Sequence, residues 1–275
     1  MKNMSNEEMI KHLAEQGYTV NSGESQRQKD VYYQKRQRQD KKHFAWQNTV
    51  NQIAVKHSLN DIQKGSLLVM ATFLELEGNG RATDTKGNAL TVNDFSKVTG
   101  KSRRQAMRIL EECENIGAIT MEKDGKEIVI RFTDMLYICG KAQGDNRQFV
   151  KLFKLSVREL IKTFSLKELG LLSDLLPHFH WKTHILCENP TEMELSNIQV
   201  WRRKDTIEKL GYSRKFVYDT MNKFKRNKAT IEISSAIDVI CLSPNLVSRQ
   251  SDRVTLEEIE KVADSVANNP KVKYL

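Results

Sequence analysis

Residues 94–104 read DFSKVTGKSRR, and residues 205–215 read DTIEKLGYSRK. Asp, Gly, Ser, Arg and a second basic residue coincide in order at an offset of 111 residues. The offset holds downstream: Ala118 matches Ala229, and Ile128 and Ile130 fall opposite Val239 and Cys241. Upstream, at a slightly different offset, SLND (58–61) parallels SLKE (165–168). Each reads as a helix N-cap with an acid three residues on, ahead of an apolar helix. Two copies of one structural unit are the simplest explanation.

Both copies carry the same order of elements. In the first, residues 61–77 read as a helix with Leu67, Leu68, Met70, Ala71 and Leu74 on its apolar side. A Gly-, Asn-, Asp- and Thr-rich loop (78–89) precedes a short helix at 92–98, a turn at Gly100 and a longer helix at 102–116. On that helix Ala106, Ile109, Leu110 and Cys113 form a stripe of period 3.6, and Gly117 stops it. Strands at 118–122 and 127–132 follow, joined through Lys123-Asp124-Gly125-Lys126, where Asp-Gly is a strong hairpin signal. In the second copy the helices fall at 165–176, 204–210 and 213–226, and the hairpin at 229–233 with 237–242. Three helices followed by a hairpin, with a short Gly-containing turn between the last two helices, describe a winged helix-turn-helix. The expected fold class is mainly α with small β-hairpins (α+β), as two such domains in tandem. The expected layout is a basic N-terminal arm (1–57), a first domain (58–134), a linker (135–148), a second domain (149–248), and a C-terminal helix and tail (249–275).

The 275 residues carry 44 Lys+Arg against 35 Asp+Glu, a formal net charge of +9. The positive charge is concentrated at 26–43, 97–108 and 200–228, and the remainder of the chain is net acidic. Basic patches on an acidic body suit a polyanionic ligand better than a general solubility surplus does. The longest apolar stretch, 67–74, is far too short for a bilayer span, and the N-terminus lacks the apolar core of a secretory signal. A soluble, cytoplasmic protein without membrane contact is expected. Cys113, Cys139, Cys187 and Cys241 form no CxxC pair and read as reduced, mostly buried thiols.

A recognition helix inserts its N-terminal residues into the major groove, where Arg pairs bidentately with guanine. Ser102 is a good N-cap whose neighbouring amides can take a phosphate. With the apolar stripe inward, Arg104, Gln105 and Arg108 point outward. The far end of the same helix is acidic (Glu111, Glu112, Glu114). Basic first and acidic last opposes the helix dipole, so a ligand at the N-terminal half explains the pattern better than helix stability does. In the second copy Val217, Thr220, Met221 and Phe224 face inward, leaving Lys215, Tyr218, Asp219, Asn222 and Arg226 exposed. Asp219 stands where the first copy has Arg108, so the two copies are expected to read different sequences. The candidate DNA contacts are Lys101, Ser102, Arg103, Arg104, Gln105 and Arg108, with Lys123 and Lys126 on the hairpin. The second copy adds Arg202, Arg203 and Lys204 against the sugar-phosphate backbone, then Ser213, Arg214, Lys215, Tyr218 and Arg226.

Residues 7–16 form a short amphipathic helix, and residues 21–43 read as a polar basic run. That run is either a mobile arm gaining phosphate contacts through Lys35, Arg36 and Arg38, or a solvated linker or helix packed on another subunit. Leu256, Ile259, Val262, Ala263 and Val266 stripe a terminal helix that packs on its own domain or supports a homodimer.

His178, His180 and His184 cluster near Cys187. Pro177 and the alternation of HFHWKTHILC favour a strand with Phe179, Trp181 and Ile185 inward and the histidines facing solvent. His178-Phe179-His180 also matches the His-hydrophobic-His pattern of rolling-circle (HUH-type) nucleases, and Tyr212-Ser213-Arg214-Lys215 matches their Tyr-x-x-Lys nucleophile motif. The internal repeat accounts for 213–215 as the start of a recognition helix, so no catalytic residue, metal or cofactor is expected. No GxxxxGK[ST], GxGxxG or HExxH occurs, which removes the usual carriers of nucleotide hydrolysis, dinucleotide chemistry and zincin-type proteolysis.

From Phe149-Val150-Lys151, through the helix-turn-helix around Ser213, to Ile240-Cys241-Leu242-Ser243-Pro244-Asn245-Leu246, the chain resembles the RepL-type replication initiators of Gram-positive plasmids. The two-module plan is similar to tandem winged-helix plasmid initiators, in which each module holds part of an origin repeat. These resemblances imply a plasmid or phage replication initiator that binds origin repeats in double-stranded DNA and recruits host replication proteins. The first module and the basic arm go beyond the RepL pattern. The alternative is a transcription regulator of a phage or mobile element, working with host transcription proteins.

Overall fold

The computed structural model describes residues 5–17, 23–38, 42–142 and 144–275, in two compact units. The smaller comprises residues 1–41 with 251–253; its described part holds helices α1 (Asn6–Glu15) and α2 (Gly23–Arg38). Residues 23–38 are therefore helical, as in the second of the two readings the composition leaves open. Residues 39–41, from the end of the basic run, lie outside the described residues.

The larger unit spans residues 42–250 and 254–275. It starts at Lys42 rather than at residue 58, because 44–48 is a strand of its central sheet. The first half runs β1 (Phe44–Asn48), α3 (Thr49–Ala54), α4 (Asp61–Ala71), α5 (Val92–Thr99), α6 (Arg103–Asn115), the hairpin β2 (Ile119–Asp124) and β3 (Glu127–Phe132), and β4 (Tyr137–Ile138). The second half runs β5 (Phe149–Phe153), α7 (Lys154–Ile161), α8 (Leu166–Leu175), β6 (Gln199–Val200), α9 (Arg203–Leu210), α10 (Arg214–Arg226), the hairpin β7 (Thr230–Ser234) and β8 (Asp238–Leu242), and β9 (Val247–Ser248). It closes with α11 (Leu256–Ala267) and β10 (Lys273–Tyr274). The class is α+β: eleven α-helices among the described residues, with small, mainly antiparallel sheets.

Local signals set the helix ends. Asn60 caps α4, its side chain accepting from the amides of Ile62 and Gln63 while Gln63 reaches back to the Asn60 amide. The cap is thus Asn60, not Ser58, and α4 stops at Ala71 instead of continuing to residue 77. Residues 74–83 turn back instead, with Leu74 bridging Ala82. Ser165 caps α8 with Glu168, Thr91 caps α5 with Asp94, and Thr255 caps α11 with Glu258. Gly100 (φ +65°) and Gly211 (φ +78°) end α5 and α9 in the left-handed conformation that glycine adopts without side-chain strain.

The central sheet has the order β4-β1-β5-β9 and contains strands from both halves. Consequently residues 135–148 are not merely a connection: Leu136 and Tyr137 are buried and β4 pairs with β1. In the β1–β5 pair, Phe44 lies opposite Phe153, Trp46 opposite Lys151, and Asn48 opposite Phe149. Helices α4 and α8 cross in contact beside this sheet, and two glycines make the approach possible. A Cβ built on Gly65 would stand 1.9 Å from the Leu166 carbonyl oxygen, and one on Gly170 would stand 2.1 Å from that of Asp61. The glycines are 105 residues apart, as are Asp61 and Leu166, and so are the starts of β1 and β5. Exchanging each residue with its counterpart 105 positions away maps both contacts onto themselves. The two halves are therefore related, at their junction, by an approximate two-fold rotation.

Polar groups at the junction break that symmetry. Lys64 and Asp174, only 5% and 3% exposed, form a 2.8 Å ion pair, and Asp174 also accepts from Gln52 Nε2 (3.1 Å) and the Tyr212 hydroxyl (2.9 Å). Counterparts 105 residues away are Leu169 for Lys64 and Val69 for Asp174. Beside them Gln47 donates to Tyr137 and to Ser173.

The second half carries its own smaller core. Ile259, Ala263, Val266 and Ala267 of α11 pack with Ile185, Cys187, Val200, Val239 and Cys241, and β10 pairs in parallel with β6. Ile259, Ala263 and Val266 of the C-terminal stripe are thus covered by their own half, while Val262 is half-buried and Leu256 exposed.

Candidate nucleic-acid interface

On α6, Ala106, Ile109, Leu110 and Cys113 are buried; on α10, Val217, Thr220, Met221 and Phe224 are. These inward faces are those expected from the sequence, and they leave Arg103, Arg104, Gln105 and Arg108 exposed on α6. Arg214, Lys215, Tyr218, Asp219, Asn222 and Arg226 are exposed on α10. Ser102 and Ser213 cap the two helices through bonds to the amides of Gln105 and Phe216. Gln105 is less free than its exposure suggests, because its Oε1 accepts from the Ser102 amide at 3.1 Å. Lys101 is half-buried and, with Arg108, lines a cleft against the first turn of α4.

Each hairpin forms a groove with the helix before it. In the first half, Arg103, Met107, Lys123, Lys126 and Ile128 line it together with Glu114. Glu114 is engaged there, accepting from the Met121 amide at 2.6 Å. The two-residue turn is Gly125-Lys126, with Asp124 paired to Glu127, which places both lysines at the exposed end of the hairpin. In the second half the groove is lined by Arg202, Arg203, Lys204, Tyr218, Glu232 and Ser234, among others.

The second-half arginines are tied down more than the sequence suggests. Arg203 bonds to Glu232 Oε1 (2.5 Å) and Asn222 Oδ1 (2.8 Å), with its guanidinium 5.4 Å from the Tyr218 ring centre. Burial opposes ionisation of Glu232, but bonds from Arg203 and Lys225 outweigh it and hold its carboxyl below the usual range. Arg202 pairs with Asp205, reaches the Leu275 carbonyl at 3.1 Å and lies over the Tyr274 ring. Lys204, Arg214 and Lys215 remain exposed, Arg214 flanking Tyr218 at 5.5 Å, while Arg226 bonds back to the Asn222 carbonyl. Lys35, Arg36 and Arg38 lie on α2, but their side chains are outside those described.

The histidines are not solvent-facing strand residues. Residues 181–183 form a tight turn, His180 and His184 are fully buried, and Trp181 is the half-exposed one. The extended reading fails because His180 nucleates the turn: its Nδ1 accepts from the amides of Lys182 (3.3 Å) and Thr183 (3.2 Å). Its Nε2 then donates to the Glu192 carbonyl at 2.8 Å. His184, at φ +59°, donates from Nδ1 to the Leu242 carbonyl at 3.1 Å, and its buried Nε2 has no partner. Burial lowers the His184 pKa to about 4, and that of His178, stacked on Trp201, to about 4 as well. The Tyr212 phenol is buried and donates to Asp174; burial first, then the Asp174 charge, push its pKa well up. Among the described residues, no group of three His, Cys, Asp or Glu side chains is placed to hold a metal ion. No described helix is long and apolar enough to cross a membrane.

Sequence reasoning missed the two glycines of the junction and the half-buried Arg249. Its guanidinium donates to the carbonyls of Arg147, Leu176 and Pro177, and burial lowers its pKa to about 10. No family model matches the chain, and no curated protein or solved structure matches it.

Proposed function

We propose that this chain is a sequence-specific double-stranded DNA-binding protein of two winged helix-turn-helix modules, acting as a plasmid or phage replication initiator at origin repeats. One observation carries the reading. The helices α6 and α10 each follow a left-handed glycine turn, bury the same four positions, and present exposed basic residues on their first turn beside a hairpin groove. A positively charged helix start is what major-groove insertion requires, and flanking phosphate contacts are available from Lys123 and Lys126 at the tip of the first hairpin and from Lys204 beside the second. The asymmetric charge of α6, with Glu111 and Glu112 exposed at its far end, limits approach to the N-terminal half. Nuclease chemistry is disfavoured: Tyr212 would have to leave Asp174 and lose a proton that burial holds on it.

The initiator role rests on the RepL-like resemblance of the second half, and the experiment separates it from regulation. Full-length protein is used to select bound duplexes from fragmented plasmid, phage and chromosomal DNA at moderate salt. Clustered repeats beside an A·T-rich stretch are expected. Single sites over promoters would instead assign a transcription regulator, and no selection would overturn the DNA reading.

A further inference from the structure

We infer that the DNA site of this chain is an imperfect inverted repeat, with two unlike half-sites in opposite orientation read by one polypeptide. The inference rests on the DNA-binding reading above and adds the geometry of the ligand. Two contacts of different kinds obey one exchange rule. In the strand pair, Phe44 faces Phe153 as Phe149 faces Asn48; in the helix pair, Gly65 meets Leu166 as Gly170 meets Asp61. An antiparallel strand pair centred on Trp46 and Lys151 is a rotation, not a translation. A head-to-tail arrangement would place different surfaces of the repeated unit in contact, whereas here the same surface is used twice. Helices carried on two halves so related meet DNA segments that are themselves related by a dyad, because protein two-fold symmetry is mirrored in the site.

The half-sites differ because the reading faces differ. At the repeat offset of 111, Arg104 corresponds to Lys215, Arg108 to Asp219, and Glu111 to Asn222. An arginine favours guanine, while an aspartate accepts from a cytosine amino group and repels phosphate. The Lys64–Asp174 pair, with Leu169 and Val69 as its counterparts, keeps a first half matched with a second half rather than with another first half.

The test is selection from random-sequence duplexes with the full chain, repeated with Arg104→Ala and Lys215→Ala. The expected winners carry two dissimilar motifs in inverted orientation. Each substitution should relax base preference roughly ten-fold or more in one motif only, and in opposite ones. A graft of the α6 face onto α10 (Lys215→Arg, Asp219→Arg, Asn222→Glu) should select a more nearly perfect palindrome. Motifs in direct orientation, or both alanine variants altering the same base pairs, would overturn the inference while leaving DNA binding intact. No enrichment from the random pool would overturn the DNA-binding reading and the inference with it.

Discussion

Asp174 illustrates how one side chain can hold a junction together: Lys64, Gln52 and Tyr212 all donate to it in the protein interior. Removing one partner of a buried ion pair leaves the other charged and desolvated. Asp174→Ala should therefore cost about 3–5 kcal/mol, read from denaturant midpoints, whereas an alanine at exposed Arg104 should cost under about 0.5 kcal/mol. His184 provides a pH signature. Its folded pKa, about 4, lies below the ordinary histidine value of 6.5, so below pH 6.5 the unfolded chain takes up a proton that the native chain refuses. Stability should be flat above neutrality and fall by about 2 kcal/mol for this residue between pH 7 and pH 5. His184→Asn, which tolerates positive φ, should flatten that slope in urea titrations at the two pH values. Alternation in HFHWKTHILC could not reveal this burial, because the turn is made by His180 bonding to its own backbone neighbours.

At the scale of elements, periodicity identified the inward faces of α6 and α10 because each helix buries one regular stripe in its own core. The same signal was silent about α4 against α8. Hydrophobic spacing tells which side of a helix is covered, not how near the covering backbone comes, so Gly65 and Gly170 passed as ordinary helix positions. Their methyl-free surfaces are where the carbonyls of Leu166 and Asp61 rest. Gly65→Ala, despite a gain of up to about 1 kcal/mol in helix propensity, should destabilise by about 3 kcal/mol through forced separation of the helices. The counterpart Gly170→Ala should do the same, measured by thermal unfolding. Strand β1 was also hidden: five residues beside a polar basic run read as part of an arm. Its partner β5 lies 105 residues away, beyond the reach of any local pattern.

At the scale of the whole molecule, the repeat was legible in the helix-turn-helix segments, where Gly, Ser and Arg are pinned by turn geometry and capping. It blurred upstream, where the offset is 105 and the capping box (Asn60 with Gln63, Ser165 with Glu168), the glycine and apolar character are shared while few other identities are. If the first hairpin contacts phosphates as proposed, Lys123→Ala with Lys126→Ala should weaken binding to every duplex alike. The slope of log affinity against log salt should then become shallower by about 2, measured by titration at several salt concentrations. The two-fold junction has a last consequence, for dosage. A repressor or initiator assembled from separate subunits loses its grip on dilution, since the subunits must first find each other. If the chain reads DNA as proposed, both reading units travel in one chain, so occupancy of a site should follow a simple hyperbola in protein concentration, without a threshold.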